Sequence, residues 1–324
     1  MHLIFMGTPD YAVPSLHALV EAGHRVSRAY TQPDRPAGRG GKLTASAVKQ
    51  AALALGIPVE QPLKVRLPEV AEQLRAAAPD AIIVVGYGQI IPRSLIEIPR
   101  LGIINVHGSL LPRYRGAAPI QWAVANGETL TGVTTMRIDE GLDTGDILLK
   151  AATPIGPDET AVDVWYRLAD MGASLLLETL EGLANGTLEP EAQDHAAATL
   201  APILKREFGK VDWSGDAATI YNRYRGFQPW PGAWTTFRGA RLQLKELAPA
   251  QERPGTGDTA PGTLFVRGKR LYAVAGDGAA LELVRLQLEG KAAVSAEAFL
   301  NGAHLQAGER LGPEPTKSED VSPH

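Results

Sequence analysis

The strongest constraint on the fold is a regular alternation of short apolar runs and helix-patterned segments along roughly the first 150 residues. Such alternation predicts a mostly parallel sheet with helices on both faces, because parallel strands are joined by helical crossovers. Ligands of these sheets bind beyond the carboxyl ends of the strands. The predicted strands are Leu3–Met6, Arg25–Thr31, Ala81–Val85 and Leu101–Val106. The predicted helices are Tyr11–Glu21, Ala45–Leu55, Leu67–Ala77 and Pro119–Ala125.

Two further strands, Thr131–Ile138 and Asp146–Ala151, flank an acidic turn, and a long helix is predicted over Ala161–Ala184. The polar stretch Leu188–Pro202 then has the composition of a linker. Beyond it, one helix pattern and several short strand patterns are separated by Gly and Pro, which predicts a small β-barrel. These elements are Asp216–Arg223 for the helix, then Ala233–Arg238, Arg241–Leu247, Gly262–Val266, Arg270–Ala275 and Ala280–Leu288 for the strands.

These patterns divide the chain of 324 residues into a first domain over 1–188, a linker over 189–206 and a smaller β domain over 207–311. The polar segment 312–324 is predicted to be a disordered tail. No stretch approaches the ~20 apolar residues of a membrane helix, and the N-terminal apolar run is too short for a signal peptide. We therefore expect a soluble cytoplasmic protein with no membrane partner.

Composition excludes several kinds of chemistry. The chain has no cysteine, so it has no disulfide, no thiolate metal ligand and no cysteine nucleophile. Residues 1–200 carry 16 basic and 22 acidic side chains, a net charge of −6, whereas residues 201–324 carry 16 and 14, a net charge of +2. This asymmetry is compatible with a second domain that meets phosphates, and also with a chance difference of a few charges.

Three segments resemble known motifs only at first sight. The loop after the first strand, Gly7 to Asp10, lacks the glycine pattern of a dinucleotide site. The segment Gly38 to Leu43 fails as a phosphate loop, since Leu43 stands where Ser or Thr is needed and Pro36 where the leading Gly is needed. Ser109 lacks the flanking glycines of a nucleophile elbow. These failures argue against a dinucleotide enzyme, a kinase and a serine hydrolase.

The most informative segment, Asn105 to Pro112, directly follows the apolar run Leu101–Ile104 and contains Asn105 and His107. Two residues that are two positions apart on an extended backbone point to the same face. An amide and an imidazole at the carboxyl end of a parallel strand form a plausible donor pair for a developing oxyanion. A structural role for a single histidine after a strand is the alternative.

A second informative segment, Asp139 to Asp146, has four acidic residues in eight positions. It is not a calcium loop, because Thr144 stands at the position that requires Gly. One alternative is a solvated acidic hairpin. The other is that one carboxylate turns inward, pairs with His107 and orients its ring.

Two segments could meet nucleic acid. The loop Gln32–Lys42 carries Arg35, Arg39 and Lys42 among Gly and Pro, and it is either a surface loop or a basic arm that orders on phosphate. The run Phe227–Trp234 is either a rigid corner of the core or a platform for stacked bases.

Together these segments resemble the methionyl-tRNA formyltransferase family, and the matching motifs extend over both domains. The HG–SLLP and DxGxDTGD patterns are shared with other formyl-folate enzymes and specify the formyl donor, whereas the QPDRPAGRG loop and FQPWPGAW are more particular to the tRNA enzymes. The matching stretches are FMGTPD at 5–10, TQPDRPAGRG at 31–40, VGYGQ at 85–89, INVHGSLLPRYRGAAPIQ at 104–121, GLDTGD at 141–146 and FQPWPGAW at 227–234.

The resemblance implies a Rossmann-like catalytic domain followed by an OB-like domain that helps hold tRNA. It implies transfer of the formyl group of 10-formyltetrahydrofolate to initiator methionyl-tRNA, without a metal. Family roles fall on Asn105, His107 and Asp143 as the catalytic residues. The folate-binding stretch of the family falls on Ser109, Leu110, Leu111 and Pro112. Contacts to tRNA fall on Arg39, Lys42, Arg206 and Lys210, although Gly41 stands where a further basic residue is expected.

Two alternatives remain. One is another 10-formyltetrahydrofolate-dependent formyltransferase or hydrolase with a different acceptor, which would share the catalytic residues. The other is an RNA-binding module without catalytic activity, against which the set Asn105, His107 and Asp143 argues. We expect the protein to be a monomer.

Overall fold

The computed structural model describes residues 1–37, 41–252 and 260–312. They form two compact units. The first unit contains Met1–Ala123 and Thr129–Ile203, and the second contains Val124–Glu128 together with the chain from Leu204 onward. Of the predicted tail, 312–324, only Gly312 is among the described residues.

The first unit alternates strands and helices. Its strands are β1 (His2–Gly7), β2 (Arg25–Tyr30), β3 (Arg35–Ala37), β4 (Lys42–Thr44), β5 (Val59–Glu60), β6 (Ala81–Val85), β7 (Ile103–His107), β8 (Arg115–Gly116), β9 (Leu130–Arg137), β10 (Ile147–Pro154) and β11 (Leu200–Ala201). Its helices are α1 (Val13–Glu21), α2 (Ala47–Ala54), α3 (Pro68–Ala77), α4 (Arg93–Ile96), α5 (Pro119–Ala125, whose last two residues belong to the second unit) and α6 (Ala161–Asn185).

Seven of these strands form one sheet in the order β10-β9-β7-β6-β1-β2-β5. The pairs from β7 to β5 are parallel, and β9 and β10 add an antiparallel edge. The prediction of a Rossmann-like, mostly parallel sheet is therefore confirmed. Strand order reverses at β1, so the carboxyl ends of β1, β6 and β7 lie side by side, where such sheets bind ligands.

Both faces of the sheet are covered, which explains the fully buried strands β6 and β7. On one face, apolar side chains of β1 and β6 pack with Leu74 of α3 and Leu95 of α4. On the other face, α1 packs against α6, and α6 contacts β7 and β9. Gly172 of α6 allows this close approach, since a Cβ there would lie 2.8 Å from Val106 of β7.

From Leu204 to Gly312, the described part of the second unit is an antiparallel sheet with two α-helices, and it is consistent with the predicted OB-like fold. Its sheet has the order β12-β13-β16-β15-β14, with β17 paired to β16. The sheet and the helices enclose one core that includes Trp213, Leu244, Leu283 and Phe299. The elements are α7 (Ala217–Gly226), β12 (Ala233–Phe237), β13 (Ala240–Pro249), β14 (Leu264–Arg267), β15 (Arg270–Val274), β16 (Ala280–Leu288), β17 (Val294–Ser295) and α8 (Ala296–Ala303).

The stretch predicted as a linker, 189–206, has local structure of its own. Glu191 forms a β-bridge with Ile147. A 3-10 turn covers His195–Ala197, and β11 pairs in parallel with β8. A polar composition predicted a linker, yet the part of this stretch up to Ile203 belongs to the first unit.

Candidate active site

A cavity of about 770 Å³ opens at the carboxyl edge of the first unit's sheet. Residues at or just beyond the ends of β1, β6 and β7 contribute to its wall, as the topology predicts. The lining is mainly apolar, with a few polar groups. Asn105, His107 and Asp143 all contribute to it, so the structure brings the three predicted catalytic residues to one cavity.

Asn105 and His107 lie at the carboxyl end of β7, and the exposed fractions of these residues are only 9% and 5%. The ring of His107 is fixed on one side by a contact of 2.9 Å between its Nε2 and the carbonyl oxygen of Tyr114. A carbonyl oxygen can only accept, so Nε2 carries a proton. The other ring nitrogen, Nδ1, is therefore the one that faces Asp143.

Asp143 lies in the loop between β9 and β10, and its carboxylate turns inward. Its Oδ2 lies 3.7 Å from Nδ1 of His107 and accepts a hydrogen bond of 2.8 Å from the backbone N–H of Gly116. The distance to His107 is too long for a direct hydrogen bond. One nitrogen or oxygen atom about 2.8 Å from each group could contact both.

The loop that carries Asp143 needs its glycines. A Cβ at Gly145 would lie 2.0 Å from the carbonyl oxygen of Arg137, and one at Gly141 would lie 1.8 Å from Oγ1 of Thr144. Asp139 closes the loop by accepting hydrogen bonds from the Gly141 N–H and the Thr144 hydroxyl. The acidic segment is thus a tight, internally bonded turn, and Asp143 is its inward-facing carboxylate.

Two tyrosines in the cavity wall remain neutral donors over the physiological range. Burial raises the pKa of Tyr87 to about 12, and burial also raises the pKa of Tyr11 well above its ordinary value. The ring of Tyr11 meets Trp165 edge to face, with centroids 5.0 Å apart. Trp165, which also lines the cavity, donates from Nε1 to Asp10 at 3.1 Å.

The predicted folate-binding stretch, Ser109 to Pro112, lies beside the cavity. None of its residues is among the described residues that line the cavity wall. The Ser109 hydroxyl donates to the carbonyl oxygen of Arg113 at 2.7 Å. Leu111 packs against Met136 and Ile147. Leu110 and Pro112 are half-buried. In this arrangement the stretch supports the turn that leads to Tyr114.

Of the four residues predicted to bind tRNA, Arg206 and Lys210 lie on the surface of the second unit. Both are exposed and lie next to Trp234: Lys210 forms a parallel bridge with it, and Trp234 donates from Nε1 to the carbonyl oxygen of Arg206 at 3.2 Å. Lys42 is the first residue of β4, and Arg39 lies outside the described residues.

Arg241 joins this group and was missed by the sequence reasoning. Its guanidinium lies 4.2 Å from the centroid of the Trp234 ring. Burial and the neighbouring charge of Arg206 lower the pKa of Arg241. Its Nε finds no hydrogen-bond acceptor among the described residues. We call Arg206, Lys210 and Arg241 the basic cluster.

Among residues 1–37, 41–252 and 260–312, no three His, Asp or Glu side chains are grouped so that they could hold a metal ion. None of the helices in the described chain combines the length and the apolar character that a bilayer crossing requires.

The chain also matches two known family models. Residues 1–180 match the model of the family described as formyl transferase, and residues 203–304 match that of the formyl transferase C-terminal domain. The chain belongs to the formyl transferase family. Asn105, His107 and Asp143 all lie within the first of these matches.

Two similar curated proteins carry the name methionyl-tRNA formyltransferase. One, from Solibacter usitatus, is 55% identical over 96% of this chain and 99% of its own length. The other, from Acidobacterium capsulatum, is 56% identical over 96% of this chain and its entire length. A solved N-formyltransferase from Helicobacter canadensis, in complex with folinic acid and dTDP-3-aminofucose, is similar in fold. Its TM-score is 0.64 at 19% identity, over 87% of this chain and 98% of that one.

Proposed function

We propose that this chain transfers the formyl group of 10-formyltetrahydrofolate to the amino group of initiator methionyl-tRNA. The observation that carries the proposal is the convergence of Asn105, His107 and Asp143 on one cavity. The family match and the shared name of the relatives, which are similar over nearly the whole chain, support this acceptor.

The cavity suits a folate donor in size and character. Its volume of about 770 Å³ falls within the range of small-molecule sites, and its mainly apolar wall suits flat aromatic rings. In this proposal Ser109, Leu110, Leu111 and Pro112 shape the donor site from behind. Leu111, for example, packs against Met136, which itself lines the cavity.

Asn105 and His107 stabilise the negative charge that develops during transfer. The methionyl amine titrates near pH 7–8, so a large part of it is a free nucleophile at neutral pH. Its attack on the formyl carbon places negative charge on the formyl oxygen. Asn105 donates to that oxygen from Nδ2. His107 donates from Nδ1 and does so in its doubly protonated form, because Nε2 is committed to Tyr114.

Asp143 takes up the proton that the amine loses. Its Oδ2 lies 3.7 Å from the Nδ1 of His107, so an amine that attacks the formyl group held by His107 comes within reach of this carboxylate. The hydrogen bond from the Gly116 N–H keeps this carboxylate oxygen directed toward the histidine. The proton held by Asp143 then passes to the nitrogen of the carrier, the bond between that nitrogen and the formyl carbon breaks, and tetrahydrofolate leaves, which completes the transfer.

The basic cluster is the proposed contact of the second unit with the tRNA backbone. Arg206 and Lys210 are exposed cations, and Arg241 is held by stacking on Trp234. A planar guanidinium suits a phosphate. Arg39 and Lys42 are proposed to contact the acceptor stem. We assign residues 1–188 to catalysis and residues 207–311 to tRNA binding, and we propose a cytoplasmic monomer.

The deciding experiment is a transfer assay with labelled 10-formyltetrahydrofolate. We expect label to appear on initiator methionyl-tRNA and not on uncharged tRNA, because only the charged tRNA offers the amine. Release of labelled formate without transfer would instead favour a hydrolase. Transfer only to a small amine, with no dependence on tRNA, would favour another formyltransferase.

A further inference from the structure

The segment 191–203, which the sequence predicted as part of a linker, contacts the neighbours of both His107 and Asp143. Thr199 accepts a hydrogen bond of 2.8 Å at its Oγ1 from the N–H of Tyr114, the residue whose carbonyl fixes His107. Ala201 of β11 accepts from the N–H of Ala117 at 2.9 Å. Gln193 is buried beneath the Asp143 loop. This segment therefore lies directly behind the proposed catalytic groups.

Gln193 forms the most specific of these contacts. Its Nε2 donates to the carbonyl oxygens of Asp143, at 2.9 Å, and Gly145, at 2.7 Å. Its Oε1 accepts from Nε and Nη2 of Arg115, at 3.1 and 2.7 Å. The orientation of the amide is determined, because the reverse orientation would bring donors against donors and acceptors against acceptors.

Asp143 requires such support because of its backbone. Its φ of +52° is left-handed, a conformation that is unfavourable for a residue with a Cβ. Gln193 holds the backbone of Asp143 from one side, and the N–H of Gly116 holds its carboxylate from the other. Arg115, which precedes Gly116 in β8, joins these two supports.

We propose that Gln193 is a positioning residue for formyl transfer, which keeps the carboxylate of Asp143 directed at Nδ1 of His107. This inference rests on the function proposed above. In this role Gln193 affects the reaction through Asp143, and it is not among the described residues that line the cavity. Its loss should therefore affect the chemical step and leave substrate binding unchanged.

The first test is steady-state kinetics of Gln193→Ala and Gln193→Glu. A displacement of a reacting group by about 1 Å can reduce a rate about 100-fold, so we expect kcat to fall about 10- to 100-fold. KM for both substrates should stay within about twofold, since the cavity wall is unchanged. The glutamate variant should behave like the alanine variant, because a carboxylate cannot donate to the two carbonyl oxygens.

The second test separates positioning from general structural damage. In an Asp143→Ala background, Gln193→Ala should change kcat by less than about twofold, because its partner in catalysis is already gone. Multiplicative effects in the double variant would overturn the proposal. Thr179→Val is the matched control, since it removes buried hydrogen bonds to Leu175 and Thr135 in the same unit. It should lower the melting temperature and leave kcat unchanged.

Hydrogen exchange gives a readout that does not depend on activity. Amides of residues 141–146 should exchange faster in Gln193→Ala than in the wild type, and the Thr179→Val control should not show this change. Unchanged exchange in that loop would overturn the positioning role even in an active enzyme. A third outcome is that the wild type transfers no formyl group, although residues 141–146 exchange faster in Gln193→Ala. In that case Gln193 still supports the loop, but its role in the reaction is overturned together with the proposed function.

Discussion

The cavity of the first unit and the basic cluster of the second unit hold their functional groups in different ways. Asn105 and His107 are almost fully buried, and hydrogen bonds fix the His107 ring and the Asp143 carboxylate. Arg206 and Lys210 are exposed. Fixed dipoles in a buried site act over short distances and require accurate geometry. Surface charges act over about 10 Å, are screened by salt and tolerate small displacements.

From this difference we expect the two regions to control different kinetic quantities. In the proposed mechanism, groups in the cavity act on charge that appears only in the transition state, so their loss should lower kcat. The proposed partners of the basic cluster are phosphates that are present before and after the reaction, so loss of a cluster residue should raise KM.

The largest effect is expected for Asn105→Ala and His107→Ala. Each removes one donor to the developing oxyanion, and loss of one such donor typically lowers kcat about 10²–10³-fold. Binding of the folate, measured by titration calorimetry, should remain. Asn301→Ala, an exposed substitution of the same type in the second unit, is the control and should leave kcat unchanged. A near-normal kcat in His107→Ala would remove the role assigned to that residue.

An intermediate effect is expected for Arg206→Ala. KM for methionyl-tRNA should rise, and the slope of log KM against log salt concentration should decrease by about 1, because one phosphate contact is lost. The kcat and the KM for the folate should not change. Lys291→Ala removes an exposed cation elsewhere in the second unit and should leave the salt slope unchanged. Equal slopes for Arg206→Ala and the wild type would contradict the phosphate contact.

The smallest effect concerns pH and the start of α7. Hydrogen bonds from the backbone and side chain of Thr219 lower the pKa of Asp216, which caps this helix. A lowered pKa in the folded state means that the stabilisation is present above the ordinary pKa of about 4 and is lost as the pH falls through the folded value.

Asp216→Asn should therefore flatten the loss of stability of the second unit below about pH 4, because asparagine still caps the helix and does not titrate. Urea unfolding at pH 3 and pH 6 measures this difference. If the free energy of unfolding changed between pH 6 and pH 3 by the same amount in Asp216→Asn as in the wild type, the role of this carboxylate would be contradicted. The kcat of Asp216→Asn at neutral pH should equal that of the wild type, because the cavity of the first unit is unchanged.

Much of this organisation could be predicted from local patterns. The alternation of strands and helices predicted the parallel sheet, and the two-residue spacing of Asn105 and His107 predicted that they share a face. Gln193 and Arg241 were not predicted, because no local pattern distinguishes them. Gln193 lies in a polar stretch that reads as a linker, and its partners Asp143 and Arg115 are 50 and 78 residues away in sequence. Arg241 resembles any other charged residue at the start of a strand.

The sequence by itself determined the order of strands and helices, the absence of cysteine chemistry and the placement of a polar pair at the end of β7. These depend on local periodicity and composition. The local pattern left open which of the four acidic residues in the loop turns toward His107. Only the tertiary structure shows that it is Asp143, as the family resemblance implied, and which groups hold it there. That choice depends on the left-handed backbone of Asp143 and on hydrogen bonds from Gly116 and Gln193. Contacts between residues far apart in the chain leave no periodic signal in the sequence.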